Sequence, residues 1–349
     1  MKLFLRLSLL ISSICTVACV LASGIGHGFP NTVVAYTESC GDGAGNYLNK
    51  IRLTDWKPGI RYTFAQTNGI FLPVSWSPNG QQLTYTINGY EINKYDFDTR
   101  LAYVLVSVRN QEARNTAPKW SPKSRLIAFY ENDRVAVVDT MTNQTQTFPI
   151  YAHNDYANAW SPDSRSLAVA GFSQENQPGL YIVNLESGEI QDLSPEQFFL
   201  VNDPAWSPDG NYVTFSASTA PGKSAIYLAD LQHDTVSKFF QRDGIGYIAS
   251  AWSPDSQTIA IVTQESEVLL YDPQGKLRGT VTTFQHLPEL NSGNIEIQWS
   301  PDGQYLIIHV AVNHQWGNYA YDLATGAVHS LSPGNCFNST IAWRPALAP

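Results

Sequence analysis

A five-residue motif that recurs along the chain constrains the fold more than any other feature of the sequence. Trp-Ser-Pro-Asp-Gly occupies residues 206–210 and again residues 299–303. Close variants begin at Trp76, Trp120, Trp160 and Trp252, and a truncated form, Trp-Arg-Pro, begins at Trp343. Successive tryptophans of this series lie 40 to 47 residues apart. Repeats of this length are typical of helical repeat arrays and of β-propeller blades.

The residues after each motif favour β-strands over helices. Two apolar positions stand seven and nine residues after each tryptophan, as at Ile127 and Phe129, usually with a small or β-branched residue between them. A second apolar stretch follows and usually closes on an acid or amide, as at Asp139, and a third, shorter stretch comes after it. Alternation with a period of two predicts strands, and no long window has a period of 3.6. The repeat is therefore predicted to be all-β.

The motif itself has the residues of a tight turn. Serine is favoured at the first position of a type I turn, proline fixes φ at the second, and glycine suits the fourth. Each tryptophan is interpreted as a packing residue between neighbouring blades, because a carbohydrate-stacking site, the alternative, would not need seven copies. The structural tryptophans are thus Trp76, Trp120, Trp160, Trp206, Trp252, Trp299 and Trp343.

The two ends of the chain together complete one repeat. Residues 34–36 match the first apolar strand of a blade, residues 47–55 the second and residues 61–66 the third, while residues 339–343 supply a tryptophan strand. The sequence therefore predicts a seven-bladed β-propeller of four-stranded antiparallel blades over residues 32–345. Its closing blade is shared between the N- and C-terminal segments, which removes exposed sheet edges.

The first 22 residues have the pattern of a secretory signal peptide. Lys2 and Arg6 precede a long apolar stretch that ends in small residues. Two alternatives stay open, namely an uncleaved membrane anchor and a lipoprotein acylated on Cys19. Residues 23–31 would form a short N-terminal segment before the propeller. We expect an exported protein, periplasmic or extracellular, that meets the membrane only through the signal segment or a lipid anchor.

Two cysteines, Cys40 and Cys336, remain outside the predicted signal peptide. Both are expected in loops at the same end of the shared blade. An exported chain with two cysteines favours one disulfide bond, and a Cys40–Cys336 bond would hold the two chain ends together. Two unrelated thiols are the alternative.

Composition and motifs exclude several functional classes. The formal net charge is −9 and no run of Lys or Arg occurs, which disfavours nucleic acid as a partner. The sequence has no nucleophile elbow, phosphate-binding loop, dinucleotide fingerprint, calcium-binding loop or zinc-protease motif. We therefore expect no enzymatic activity, cofactor or metal. A metal held by His153 and His286, on loops of one face, is the alternative.

The repeats resemble the WD40-like, or PD40, repeats of TolB-type β-propellers. The shared features are Trp-Ser-Pro-Asp-Gly, the strand at 126–129 and the Ile-Tyr-x-x-Asp-Leu pattern at 226–231. The resemblance covers residues 32–345 and implies a propeller that works as an interaction module in the cell envelope. Seven blades are predicted here, whereas TolB has six.

Irregular loops are the best candidates for a binding surface. The motif turns are uniform, whereas the connections between blades on the opposite face vary and mix charges with aromatic residues. Loops on a rigid scaffold commonly carry recognition, although Phe198 and Phe199 could instead pack beneath their own loop. The candidate binding residues are Arg109, Arg114, His153, Asp155, Phe198, Phe199, Asp203, Arg242, Tyr247 and His286.

These loops predict a monomeric, non-enzymatic module that binds a protein or peptide partner of the cell envelope through this face and the channel mouth. The alternative is a propeller enzyme of the lyase or hydrolase type, acting on a carbohydrate or small metabolite at the channel mouth.

Overall fold

The computed structural model describes residues 33–41, 47–55, 60–67, 73–107, 115–123, 125–152, 158–221, 223–241, 249–263, 267–281, 296–312, 315–331 and 336–345. All regular secondary structure in these ranges is β-strand, which confirms the predicted all-β class. No helix among them could cross a membrane. The predicted signal peptide, residues 1–22, and the segment 23–31 lie outside the described residues.

The described residues form 28 strands. In chain order they are β1 (Val33–Gly41), β2 (Tyr47–Asp55), β3 (Ile60–Thr67), β4 (Ser75–Trp76), β5 (Gln82–Ile87), β6 (Glu91–Asp96), β7 (Leu101–Ser107), β8 (Asn115–Trp120), β9 (Leu126–Glu131), β10 (Arg134–Asp139), β11 (Thr145–Tyr151), β12 (Asn158–Trp160), β13 (Ser166–Phe172), β14 (Pro178–Asn184), β15 (Ile190–Asp192), β16 (Leu200–Trp206), β17 (Tyr212–Ala220), β18 (Lys223–Asp230), β19 (Thr235–Gln241), β20 (Ala249–Trp252), β21 (Ile259–Val262), β22 (Val268–Tyr271), β23 (Leu277–Val281), β24 (Glu296–Trp299), β25 (Tyr305–Val312), β26 (Gln315–Asp322), β27 (Val328–Ser330) and β28 (Cys336–Trp343).

The strands assemble into antiparallel four-stranded units. Four consecutive strands form each of the sheets β4–β7, β16–β19, β20–β23 and β24–β27. Strands β8–β15 form two further units, β8–β11 and β12–β15, which are joined by one bridge between Tyr151 and Phe172. The remaining sheet has the order β28-β1-β2-β3, so the first and last described strands lie side by side in it.

The Ser-Pro-Asp-Gly turn has the hydrogen bonds of a tight reversal. The N–H of Gly210 donates to the carbonyl of Ser207 at 2.9 Å, and the Ser207 hydroxyl donates to Asp209 Oδ1 at 2.6 Å. Gly210 has a φ of 81°, in the left-handed region where glycine is favoured. In some repeats serine replaces the glycine of the turn, as at Ser256. The Ser256 hydroxyl accepts a hydrogen bond from the backbone N–H of Asp209, in the preceding turn, at 2.9 Å. Neighbouring turns are thereby linked.

The repeated tryptophans lie between neighbouring units. Five of them are less than 10% exposed, and Trp206 and Trp299 are half-buried. Three indole N–H groups donate across the boundary to a backbone carbonyl of the preceding repeat: Trp76 to Ala342 at 3.2 Å, Trp160 to Lys119 at 2.9 Å and Trp299 to Ala251 at 3.1 Å. Each acceptor directly precedes the tryptophan of that repeat. The motif therefore joins each of these units to its neighbour.

The sheet that contains β28 and β1 contacts the units on both of its sides. On one side, the hydroxyl of Tyr36 in β1 donates to the carbonyl of Leu331, which follows β27, at 3.1 Å. On the other side, Arg344 Nε donates to the carbonyl of Gly80 at 2.8 Å, and its guanidinium lies 5.8 Å from the Trp76 ring centroid. In the Trp-Arg-Pro variant, arginine stands at the position that serine occupies in the other repeats, and its side chain makes the contact with the neighbouring unit.

The cysteines lie in strands, which differs from the loops expected from the sequence. Cys40 is in β1 and Cys336 is in β28, and the two are direct partners in the antiparallel register. The difference arises because β1 continues past the predicted apolar triple to Gly41, so the pairing with β28 reaches both cysteines.

Candidate binding site

The first strands of successive units enclose a cavity of about 460 Å³. Residues of β8, β12, β16, β20 and β24 form its wall, together with residues of the turns that follow β16, β20 and β24. The wall contains several tryptophans and prolines of the motif together with three charged residues, Lys119, Asp203 and Glu296. The cavity is therefore largely apolar, with a small number of charged groups.

The cavity has two different ends. Each first strand ends at its tryptophan and enters the motif turn, so one end is formed by the turns. The other end lies where the first strands begin, next to the variable connections between units. We call this end the loop-side mouth. The connection there that the structure describes in full is residues 193–199, and with the start of β16 it forms the segment 193–203.

The adjacent phenylalanines of this segment have different environments. Phe198 is 5% exposed, and its ring centroid lies 5.1 Å from that of Tyr227 and 6.0 Å from that of Phe215. Phe199 is 60% exposed, while its backbone N–H donates to the carbonyl of Ser218 at 2.7 Å. Phe198 therefore anchors the segment beneath its own loop, and Phe199 presents a large aromatic ring to solvent from a hydrogen-bonded backbone.

A second contact holds the start of the segment. The Tyr227 hydroxyl donates to Glu196 Oε1 at 2.6 Å. Burial of the phenol, together with this carboxylate acceptor, raises the pKa of Tyr227 well above its ordinary value. The tyrosine therefore stays protonated and keeps its donor role at physiological pH.

Asp203 combines a strained backbone with a position on the cavity wall. Its φ is 49°, it precedes a proline, and it lies at a register irregularity between β16 and β17. A left-handed conformation is uncommon for residues other than glycine, and a following proline restricts the backbone further. Such strain is concentrated at functional sites. Of the predicted binding residues within the described ranges, Asp203 is the one that lines the cavity.

Glu296 is an acid on the cavity wall whose pKa is shifted by burial. Its Oε1 accepts a hydrogen bond from Gln298 Nε2 at 2.6 Å, and Gln298 Nε2 also lies 2.7 Å from the carbonyl of Ile341. Burial raises the pKa of the Glu296 carboxyl to about 7, although the Gln298 hydrogen bond and the charge of Lys119 act in the opposite direction. Within the described residues its Oε2 is buried without a hydrogen-bond partner. Glu296 can therefore gain or lose a proton near neutral pH.

Polar residues extend from Glu296 into the sheet behind it. His309 of β25 is the register partner of Glu296, and its Nδ1 lies 2.7 Å from Asn318 Oδ1 of β26. Burial lowers the pKa of His309. The histidine is consequently neutral at physiological pH. Among Glu296, His309 and Asn318, Glu296 is therefore the residue whose charge changes near neutral pH.

Sequence reasoning did not select Glu296, Gln298 or Lys119. Glu296 and Gln298 alternate with Ile297 and Trp299, so both polar residues lie on one face of a strand whose other face is apolar. That alternation was the available signal for a polar cavity wall.

The structure places three of the predicted binding residues, Phe198, Phe199 and Asp203, in one segment. Seven lie outside the described residues: Arg109, Arg114, His153, Asp155, Arg242, Tyr247 and His286. The alternative metal site at His153 and His286 falls outside them as well. Within the described ranges, no group of three His, Cys, Asp or Glu residues could hold a metal ion.

Comparison with known proteins identifies a family and several similar folds. The family described as PD40, TolB beta propeller domain, matches residues 86–282. The crystal structure of TolB from Acinetobacter baumannii has a TM-score of 0.54 and 16% identity, covering 90% of this chain and 83% of that one. Hydrazine synthase of Kuenenia stuttgartiensis has a TM-score of 0.55 and 18% identity, with 72% and 76% coverage.

A further similar structure is an oligogalacturonate lyase in complex with manganese. It has a TM-score of 0.59 and 13% identity, covering 85% of this chain and 83% of that one. The three similar structures thus come from proteins of different kinds. At these identities they show a shared fold alone.

Proposed function

Since this chain belongs to the TolB β-propeller domain family, we propose that it is an exported binding module that holds a protein or peptide segment at the loop-side mouth of its cavity. The observation that carries the proposal is the exposed ring of Phe199. It stands on a backbone that is hydrogen-bonded to β17, next to the buried anchor Phe198.

The geometry of Phe199 suits recognition. Leaving a phenylalanine in water instead of burying it forgoes roughly 1.5–3 kcal/mol. A partner that covers the ring recovers this free energy, and because the backbone is already ordered, little conformational entropy is lost on binding. Asp203, four residues further on, adds a negative charge on the cavity wall for a polar or basic group of the partner.

We also infer that the units close into one seven-bladed ring, which would make the mouth rigid. Tryptophan hydrogen bonds cross between several neighbouring units, and Arg344 links the shared sheet to the turn at Gly80. The proposed Cys40–Cys336 disulfide would secure the same sheet. Directly opposed residues of antiparallel strands have Cα atoms about 4.5–5.5 Å apart, which is within the range that a disulfide spans.

Export and the disulfide are tested together by mass spectrometry of the protein from its native cell envelope. Alkylation without reduction should leave Cys40 and Cys336 unmodified, and the mature chain should begin near residue 23. Two alkylated cysteines, or a protein recovered in the cytosol, would contradict the proposal of an oxidised, exported propeller.

The binding proposal is tested by quantitative affinity purification of the wild type and two variants. Phe199→Ala removes the exposed ring at the loop-side mouth. Met141→Ala is the matched control, because Met141 is 75% exposed at the turn end, where the neighbouring Thr140 N–H donates to the carbonyl of Arg125 at 3.1 Å.

Loss of a central aromatic contact commonly costs 2 kcal/mol or more, so capture of a specific partner should fall about tenfold or more in Phe199→Ala. Capture by Met141→Ala should equal that of the wild type. An unchanged set of partners in Phe199→Ala would refute the assignment of the binding surface.

A second candidate function is catalysis on a carbohydrate or small metabolite in the cavity. The observation that favours it is Glu296, whose pKa of about 7 suits general acid–base chemistry, on the same wall as Lys119 and Asp203. The similar fold of oligogalacturonate lyase suggests acidic oligosaccharides as the first substrates to assay. Turnover that Glu296→Gln abolishes and Glu189→Gln preserves would support an enzyme. Absence of turnover with the wild type would remove this candidate.

A further inference from the structure

The three charged residues of the cavity wall lie at two levels. Asp203 and Glu296 each stand three residues before the tryptophan that ends their strand. Lys119 directly precedes the tryptophan that ends β8, so it lies two residues nearer the turn end. Two residues of a strand extend over about 7 Å. A group that enters through the loop-side mouth therefore meets the two acids before it meets the lysine.

Small side chains leave space between these charged groups. The residue before the repeated tryptophan is alanine at positions 159, 205 and 251, and all three alanines line the cavity. The cavity volume of about 460 Å³ falls in the range of sites that hold small ligands. Asp203, Glu296 and Lys119 are each half-buried, so part of each residue is exposed at the wall. One long side chain of a partner can therefore reach the level of the two acids.

The wall has more acids than bases. Among the described residues that line the cavity, Asp203 and Glu296 are the acids and Lys119 is the one base. The Lys119 ammonium donates to the carbonyl of Asn158 at 2.7 Å. The charge of Asp203 contributes to the raised pKa of Glu296, so the two carboxylates repel one another. A single cation held between them would relieve this repulsion, and the net charge of −9 draws cations towards the protein.

Glu296 also has unused capacity to accept hydrogen bonds. An ionised carboxylate has about four acceptor sites. Oε1 accepts from Gln298 Nε2 at 2.6 Å, while Oε2 is buried without a partner in the described part of the chain. The terminal torsion of a glutamate is broad, so the carboxylate can turn an oxygen towards a donor in the cavity. A charged N–H donor would satisfy it with a strong hydrogen bond.

We propose that the partner segment inserts one arginine side chain through the loop-side mouth and places its guanidinium between Asp203 and Glu296. This inference rests on the proposed binding function, because it specifies the chemistry of the segment held at that mouth. A guanidinium presents five donors in one plane and stacks on aromatic rings, whereas an ammonium is a strongly hydrated point charge. The wall offers two carboxyl groups and the half-buried indoles of Trp206 and Trp299. Arginine therefore fits this wall better than lysine does.

Binding of the guanidinium is coupled to release of a proton. Glu296 has a pKa of about 7 because burial disfavours its charged form, and a bound cation would lower that pKa. The charged groups that act on it are Lys119 and Asp203, while its register partner His309 is neutral. The neighbouring residues 249–252 and 341–343 carry no titratable side chain. Affinity for arginine should therefore be about tenfold lower at pH 6 than at pH 8.

Isothermal titration calorimetry with N-acetyl-arginine amide tests the inference. The neutral analogue N-acetyl-citrulline amide has nearly the same shape and should bind the wild type at least tenfold more weakly at pH 8. N-acetyl-lysine amide should also bind more weakly than the arginine compound. Titrations at pH 7 in phosphate and in Tris, which differ in ionisation enthalpy, count the protons released. About half a proton should leave for each arginine bound, since Glu296 is about half protonated at that pH.

Three variants assign these effects to the wall. Glu296→Gln keeps the side-chain shape and should weaken arginine binding at least tenfold at pH 8 and abolish the proton release. Asp203→Asn suits the left-handed backbone at this position, and it should weaken binding but keep most of the proton release. Glu189→Gln, in an exposed turn, is the matched control and should behave as the wild type. Circular dichroism checks that each variant folds, and the pH dependence of the wild type needs no variant.

The outcomes separate this inference from the proposed function. No saturable binding of the arginine compound, equal binding of the citrulline compound, or proton release that persists in Glu296→Gln would overturn the arginine site. Equal or tighter binding of the lysine compound would overturn the choice of arginine. None of these results would alter the effect of Phe199→Ala on partner capture. Conversely, arginine binding together with unchanged capture by Phe199→Ala would refute the proposed binding surface and leave the arginine site in place.

Discussion

Replacement of Glu296 with glutamine should change how the stability of the protein depends on pH. Burial raises the pKa of this carboxyl from 4.5 to about 7 in the folded chain. Between these two values the folded state binds more protons at this position than the unfolded state does. The free energy of unfolding of the wild type should therefore fall as pH rises through this window and level off above it.

The size of the effect follows from the shift. One pKa unit corresponds to 1.36 kcal/mol, so the change in pKa predicts a loss on the order of 3 kcal/mol between about pH 4.5 and pH 7.5. Glutamine has nearly the same shape and retains an oxygen that can accept from Gln298, but it carries no charge at any pH. Glu296→Gln should consequently lack this loss and should be more stable than the wild type at pH 8.

Urea unfolding followed by tryptophan fluorescence, at intervals from pH 4.5 to pH 8, measures the difference. Glu189→Gln, in an exposed turn, is the matched control and should follow the wild type. The result that would refute the reasoning is a constant difference in unfolding free energy between the wild type and Glu296→Gln across the whole range. That result would mean that Glu296 ionises equally well in the folded and unfolded states.

Three further predictions concern the turn, the loop anchor and the last described strand. Asp255→Ala removes the acceptor of the Ser253 hydroxyl, which lies 2.5 Å away, and should cost about 1 kcal/mol of unfolding free energy; an unchanged urea midpoint would contradict the role given to the turn. Phe198→Ala should cost about 3–5 kcal/mol because it leaves a cavity, whereas Phe199→Ala should change stability by less than about 0.5 kcal/mol; equal losses would contradict the buried and exposed assignments. Arg344→Ala leaves a carbonyl without its donor and should cost about 1–3 kcal/mol, with faster amide exchange in β28; unchanged exchange there would show that the arginine does not hold the chain end.

Much of the fold was predictable because its signals are local. The Ser-Pro-Asp-Gly turn depends on backbone preferences within four residues, and the strands follow from alternation over six or seven. The pairing of β28 with β1 was predictable because residues 339–343 match the tryptophan strand that the N-terminal unit lacks. The prediction that both cysteines lie in loops was wrong because the sequence does not mark where β1 ends. The strand continues to Gly41 through residues that are not apolar.

The site was less predictable because it forms where distant strands converge. Glu296 and Lys119 are 177 residues apart in the sequence, and neither belongs to a motif that indicates a shared cavity. The different environments of Phe198 and Phe199 depend on which ring fits against Phe215 and Tyr227, and adjacent identical residues give no local clue. Asp203 was selected because its loop is irregular, but its left-handed backbone appears only in the structure.

The central claim is that a partner contacts the loop-side mouth and not the turn end. Site-specific photo-crosslinking in the native cell envelope measures this contact directly, with the photoreactive residue placed at position 199 in one variant and at position 141 in the other. The account predicts a discrete, light-dependent adduct with a protein partner from position 199 and none from position 141. An adduct from position 141 alone, or from neither position, would contradict it.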